Sequence, residues 1–369
     1  MEYSVFASAT ANHSLSRRRV MQAAIALLAS GASGARAQPR RVPIADMHSH
    51  YGMIARKLGD SGLAADMRSA RVAFVAWKLV ADGHWIRATN SGIEQISEPV
   101  LGELAKFFHA NLDRMNAYVA EQKLKKVLTP SDVDACIAGD AGIVLASEGA
   151  DFLEGKVENL DAAYGKGLRH LQFVHYIRTP VGDFQTVAPV HNGLSAMGKQ
   201  LVEACNARGV LVDLAHSTAQ SVDQALEIAK APLVWSHGWV DGDGGSWRDQ
   251  YGYQRRRLSL AHAKKIAERG GVVGLWALGL RNPGPDWSVS PGNRRAYASE
   301  LANLVNKIGA DHVALGTDIE GVGPNWAVNN YGHVRGVVEY LQDMKLGDSA
   351  IERIAYGNYA RVLKAVLKA

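Results

Sequence analysis

The chain has 369 residues, 47% of them hydrophobic and 21% charged, a globular composition with enough apolar material for one large domain. Its net charge of +5 is concentrated at the start: residues 1–37 carry Arg17, Arg18, Arg19 and Arg36 against Glu2, and the remainder holds 37 basic against 35 acidic residues. So balanced a body gives no reason to expect nucleic acid or an anionic membrane surface as partner.

The first 37 residues read as a targeting pattern rather than part of a fold. A basic block at 16–22 precedes a short apolar run at 23–32, and Ala35-Arg36-Ala37 follows as an A-x-A cleavage site. The paired arginines suggest a twin-arginine signal, so removal of 1–37 and export to the periplasm are expected, leaving 38–369 as a single domain. The apolar run is too short to span a bilayer. No cysteine follows the cleavage site, and 361–369 reads as an amphipathic helix without the apolar tail of a lipid-anchor signal, so no membrane anchor is expected. Cys136 and Cys205 have no metal-binding spacing and are expected to be two free, buried thiols rather than a disulfide.

The fold proper opens at 44–52, IADMHSHYG. Residues i and i+2 of a strand share a face, so His48 and His50 project together at a strand end, as imidazoles do when they grip a metal. Further strands are expected at 71–76, 142–147, 168–174, 210–215, 232–236, 271–276 and 312–317. Helical patterns separate most of them, at 100–125, 160–165, 194–207, 219–229, 259–269 and 294–308, and a final pair occupies 334–344 and 349–365. Ser259 and Ser349 are candidate N-caps; Gly209 and Gly270 are candidate helix stops. Eight strands alternating with helices predict a (β/α)₈ barrel of the TIM type. A doubly wound open sheet is the alternative, but no Gly-rich phosphate fingerprint follows any strand.

In such a barrel the chemistry sits at the C-terminal strand ends. The first end carries His48 and His50, the third Glu148, the fourth His175, the fifth His216, the sixth His237 and the eighth Asp318. Imidazoles with carboxylates and no thiolate suit Zn²⁺, with Mn²⁺, Co²⁺ or Fe²⁺ as alternatives. The ligand count exceeds one tetrahedral site, and two metals bridged by a carboxylate and a hydroxide is the economical reading. The loops at 239–254 and 281–292, with Trp326, Tyr331 and the segment 77–97, are expected to form the rim of the site.

From about residue 44 to the C-terminus the chain resembles the membrane (renal-type) dipeptidases, peptidase family M19 of the amidohydrolase superfamily. The resemblance rests on SEGAD around Glu148, VHYIRTP around His175, VLVDLAHST around His216, PLVWSHG around His237, ALGTDIEGV around Asp318 and the closing GNYARVL, in that order. It implies that Glu148 bridges two zinc ions, that His48 binds the first, and that His216 and His237 bind the second. It implies further that Asp318 handles protons beside a metal-bridging hydroxide, and that His175 contacts the substrate carbonyl or the tetrahedral intermediate. An arginine shortly after the sixth strand holds the substrate carboxylate in this family; Arg256 is the best match, with Arg255 and Arg257 as neighbours to which the alignment could slip and a solvated basic run as the bland alternative. The chain departs from the family's His-x-Asp at His48-Ser49-His50. His-x-His is common in the wider superfamily, so His50 stays a ligand, but one negative charge is lost and one ion rather than two becomes an alternative. The expected activity is zinc-dependent hydrolysis of dipeptides. The alternatives are an amidohydrolase acting on another amide, an N-acyl amino acid or a lactone, and a non-catalytic metal- or ligand-binding barrel. A homodimer is compatible with the resemblance.

Overall fold

The structure, a computed structural model, describes residues 41–53, 62–89, 92–240, 256–277, 291–321 and 327–369, without the side chains of 291–293. Val42–Ala369 is one compact unit. The targeting pattern at 1–37, most of the loops expected at 239–254 and 281–292, Arg255 and Trp326 lie outside the described residues.

Eight strands build the barrel: β1 (Ile44–Ser49), β2 (Val72–Val80), β3 (Gly142–Glu148), β4 (Leu168–Gln172), β5 (Leu211–Asp213), β6 (Val234–Trp235), β7 (Val272–Leu275) and β8 (Val313–Leu315). Each pairs in parallel with the next in chain order. The sheet returns on itself where the Asp318 amide donates to the His48 carbonyl at 2.8 Å and the His50 amide to the Ile319 carbonyl at 2.9 Å. Parallel strands with both faces covered read as continuous apolar runs, and β3, GIVLASE, is buried along its whole length. The result is the expected (β/α)₈ barrel.

Helices pack outside it: α1 (Leu63–Ala70), α2 (Glu103–Glu121), α3 (Pro130–Ala138), α4 (Leu160–Gly165), α5 (Ala196–Arg208), α6 (Ala219–Ile228), α7 (Leu260–Glu268), α8 (Pro291–Ile308), α9 (Tyr331–Asp343), α10 (Asp348–Glu352) and α11 (Asn358–Val366). The barrel interior is a distinct apolar cluster: alternate residues of the strands, among them Met47, Phe74, Val144, Leu211 and Val272, meet Tyr359, Val362 and Leu363 of α11. Packing inside is tight enough to dictate residue type. A Cβ at Gly316 would lie 1.7 Å from the Ser236 carbonyl oxygen, so only glycine lets β8 run there.

Three elements differ from the expectations. β2 continues to Val80 rather than stopping at 76, because WKLV extends its apolar run. α3 is additional; Thr129-Pro130-Ser131-Asp132 is a capping box in which the Thr129 and Asp132 side chains each accept the other's backbone N–H, with proline at the first turn. The helix expected over 349–365 is broken by a π-helical stretch, Arg353–Gly357, and Gly347 rather than Ser349 occupies its N-cap. Beyond the bulge the buried Asn358 side chain donates to the carbonyls of Ala310 and Val313, at 2.6 and 2.8 Å. Ser259 does cap α7, accepting the His262 amide at 3.1 Å. Cys136 and Cys205 are both buried and unpaired, and burial pushes both thiols up, Cys136 to about 12.

A buried polar network crosses the barrel beneath the strand ends. The Lys78 ammonium donates to Asp213 Oδ2 at 2.7 Å; His170 Nε2 stands 3.3 Å from the same oxygen, and its Nδ1 lies 3.0 Å from the Tyr359 hydroxyl. Burial, and then the Lys78 charge, depress the His170 pKa to about 4, with Asp213 opposing. An unfolded chain therefore takes up a proton on this histidine below about pH 6.5 where the folded one does not. The stability this contributes is complete above pH 6.5 and falls as pH drops toward 4, by up to about 3 kcal/mol. His170→Gln should flatten the fall of the urea midpoint across that window relative to the parent; parallel pH profiles would refute the assignment.

Candidate metal centre

The strand ends converge on Glu148. Its Oε2 lies 2.8 Å from His50 Nε2 and 3.4 Å from His48 Nε2. Its Oε1 lies 3.1 Å from His216 Nε2 and 3.5 Å from His237 Nε2. One carboxylate oxygen thus faces the β1 pair and the other faces the pair that follows β5 and β6. The two imidazoles of each pair also face one another, Nε2 to Nε2, at 3.1 Å for His48 and His50 and 3.2 Å for His216 and His237. Asp318 closes the ring, its Oδ1 3.2 Å from His50 Nε2 and 3.4 Å from His48 Nε2. All six side chains are buried.

Backbone geometry aims two of them. His216 and Asp318 have φ of 71° and 54°, a left-handed conformation that costs a non-glycine residue on the order of 1 kcal/mol or more. Gly321 leaves room for the Asp318 carboxylate, since a Cβ there would sit 2.1 Å from Oδ1. Other groups fix the imidazole tautomers. His50 Nδ1 can only donate to the Lys78 carbonyl, 2.9 Å away, which leaves Nε2 as the nitrogen that faces the centre. Ser236 Oγ lies 3.1 Å from both His48 Nδ1 and His237 Nδ1 and orients both rings from behind.

The electrostatics suit cation binding. Burial would raise the Glu148 pKa, but His175 and His48 outweigh it and hold the carboxyl well below its ordinary value. Asp318 is likewise held low against burial by His48 and His50. Burial, reinforced by other cationic groups, keeps His216 and His237 neutral, each well below the usual imidazole range. His50 is the exception: burial would lower it, but Asp318 and Glu148 push it up to about 10, so a cation must displace its proton. Three overlapping trios present donor atoms close enough to share an ion: His48, His50 and Glu148; Glu148, His216 and His237; and His48, His237 and Asp318. Asp318 Oδ1 is a buried carboxylate oxygen aimed into the cluster. Nitrogen and carboxylate donors without thiolate fit Zn²⁺ or a similar divalent ion.

The other expected residues also gather here. His175 Nε2 is 3.7 Å from Glu148 Oε1, while its Nδ1 meets Asp82 at 2.8 and 2.9 Å. Arg256 is buried, with Nη2 2.9 Å from His237 Nε2, Nη1 on Gln185 Oε1 at 3.1 Å, and Nε without a partner. Its guanidinium lies 5.4 Å from the Trp276 ring centre. Arg257 is exposed and pairs by its backbone with Trp239. Tyr331 is not a rim residue: it begins α9, is fully buried, and its hydroxyl lies 3.3 Å from Asp46. The cavity over the cluster holds about 260 Å³, with Val80, Ile86, Ile93, Tyr176 and Trp276 as apolar lining. Ile86 and Ile93 come from the hairpin Ile86–Thr89/Gly92–Gln95, within the segment expected at the rim. Asp82, Ser236 and Gln185 escape a sequence reading. Ser236 alone left a signal, its position next to His237 at a strand end.

The sequence pattern of the membrane dipeptidases, peptidase family M19, matches residues 103–369. The chain belongs to this family. For this M19 chain the match takes in Glu148, His175, His216, His237, Arg256 and Asp318, while His48, His50 and Asp82 precede it. A dipeptidase of Claviceps purpurea is 24% identical over 231 residues, covering 62% of this chain and 52% of its own length. An uncharacterised Klebsiella pneumoniae protein is 26% identical over 255 residues, 66% of this chain and 89% of its own. The chain spans about half the length of the named fungal dipeptidases it matches, 52% in Claviceps and 51% in Aspergillus oryzae. Among solved structures, a Rhodobacter sphaeroides metallopeptidase liganded with a phosphinate mimic of L-Ala-D-Ala superposes with a TM-score of 0.72 at 18% identity, over 88% of this chain and 99% of that one. The probable dipeptidase PvdM of Pseudomonas aeruginosa gives 0.69 at 18% identity, over 95% and 99%. These likenesses establish the fold of the M19 chain.

Proposed function

We propose that this M19 protein is a metal-dependent dipeptidase holding two zinc ions bridged by Glu148. The observation that carries the reading is the division of Glu148, one oxygen toward His48 and His50 and the other toward His216 and His237. Bound there, the ions would lower the pKa of a water toward about 7 and polarise a carbonyl. The remaining work falls to the chain. Asp318, held ionised and with Oδ1 aimed into the cluster, would take the proton of the attacking water and return it to the leaving amine. His175 would present Nε2 to the scissile carbonyl. Arg256 would bind the free carboxylate of the substrate: its Nε lacks a partner, and engaging His237 Nε2 as a metal ligand releases Nη2 as well. The small volume of the cavity over the cluster favours short peptides as substrates. The twin-arginine pattern at 16–22 supports a periplasmic site of action.

The decisive experiment couples metal analysis of the purified protein to hydrolysis of dipeptides with L- and D-configured C-terminal residues. Two ions per chain, and activity lost on chelation and restored by Zn²⁺, are expected. Metal-loaded protein that cleaves N-acyl amino acids or lactones and no dipeptide would move the assignment to another amidohydrolase activity.

A further inference from the structure

Two residues beyond the end of β2, Asp82 turns its carboxylate under His175. It is fully buried. Its two oxygens lie 2.8 and 2.9 Å from His175 Nδ1, and Oδ2 also accepts the Tyr176 amide at 3.2 Å. The other ring nitrogen of His175 faces Glu148 and the cavity. A buried carboxylate is costly to desolvate, by several kcal/mol, unless charge and hydrogen bonds compensate it. Here the compensation comes from one imidazole and the amide that follows it. An ionised carboxylate can only accept, so the shared proton resides on Nδ1. Asp151 stands in the same cluster, buried, with neither carboxylate oxygen hydrogen-bonded. Burial, and then the Asp82 charge, push its pKa up to about 8.

We propose that Asp82 is a positioning residue for His175, accepting its Nδ1–H and fixing the ring orientation so that the Nε2 side of the ring is the one presented to the reacting carbonyl. The chemical consequence rests on the dipeptidase reading; the Asp82–His175 geometry does not. An asparagine at 82 would keep the volume, yet it lacks the charge, and its amide can turn NH₂ toward Nδ1, so the ring loses the acceptor that holds it in place.

The test compares wild type with Asp82→Asn, Asp82→Glu, His175→Ala and the double variant Asp82→Asn/His175→Ala, all metal-loaded. NMR of the imidazole protons, with His175 assigned from its alanine variant, should show a hydrogen-bonded Nδ1 proton in wild type that is lost in Asp82→Asn. With a cleaved dipeptide, Asp82→Asn should lower kcat by about 10- to 100-fold, the range for a partner that orients a functional histidine, with KM within about twofold and metal content unchanged. Asp82→Glu should recover part of the loss, and Asp82→Asn should cost nothing further in the His175→Ala background. A wild-type His175 without a proton on Nδ1 overturns the proposal, and so does an undiminished cost of Asp82→Asn in the absence of His175. Should Asp82→Asn fail to fold, the wild-type tautomer and Asp82→Glu still decide. Should wild type cleave no dipeptide, the dipeptidase reading falls, while the NMR arm still judges Asp82.

Discussion

Replacing Glu148 by Gln is expected to lower dipeptide hydrolysis by at least about 10³-fold and to reduce the metal content of the purified protein. Glutamine keeps the volume of the side chain but offers one oxygen where Glu148 offers two. Either the His48–His50 pair or the His216–His237 pair would then face an NH₂ group, which cannot ligate a cation. The charge at the centre of four imidazoles would also be lost, and with it the compensation for the proton that His50 holds. Metal stabilisation of a hydrolytic transition state is worth several kcal/mol, and about 4 kcal/mol corresponds to 10³-fold in rate. Elemental analysis, turnover and circular dichroism on the same preparation check the outcome. Two ions per chain with normal turnover would falsify Glu148 as a bridge.

Asp318→Asn should separate proton transfer from metal holding. Glu148 and the four histidines remain, so metal content is expected to stay near that of wild type. Turnover should fall by about 10²- to 10⁴-fold, the usual contribution of a positioned general acid–base, with little change in KM. The left-handed backbone at Asp318 and the space that Gly321 leaves for its carboxylate aim this group into the centre at some cost in strain. A variant that retained more than about a third of wild-type turnover would remove Asp318 from the proton path; one that lost its metal would make it a ligand first.

The barrel was legible because its strands are long apolar runs and because strand, helix and strand alternate. The metal-type cluster was legible for a related reason. Polar residues that stop an apolar run in a parallel strand land at one end of the barrel, so reading strand ends in order amounts to walking round the site. Asp82 shows where that procedure slips. A strand read as ending at 76 puts it in a loop, whereas β2 runs to Val80 and makes it a strand-end residue. Tyr331 shows the opposite error: an aromatic in a Gly- and Asn-rich stretch reads as rim, yet Asn330 caps α9 and turns Tyr331 inward against Tyr51 and Asp46. Among three consecutive arginines no local pattern selects one. Arg256 is buried because the chain pairs Trp239 with Arg257 on its way into α7, and this turns the preceding side chain toward His237.

By itself, then, the sequence determined the strand count, the order of the strand-end ligands and their chemical type, since each depends on apolar periodicity over a few residues. Only the tertiary structure decided which oxygen of Glu148 meets which histidine pair, that Asp82 stands behind His175, and that Lys78 is neutralised by Asp213. Those partners lie 93 and 135 residues apart in the chain for the last two pairs. Their meeting depends on strand stagger and closure of the barrel, which no local pattern encodes.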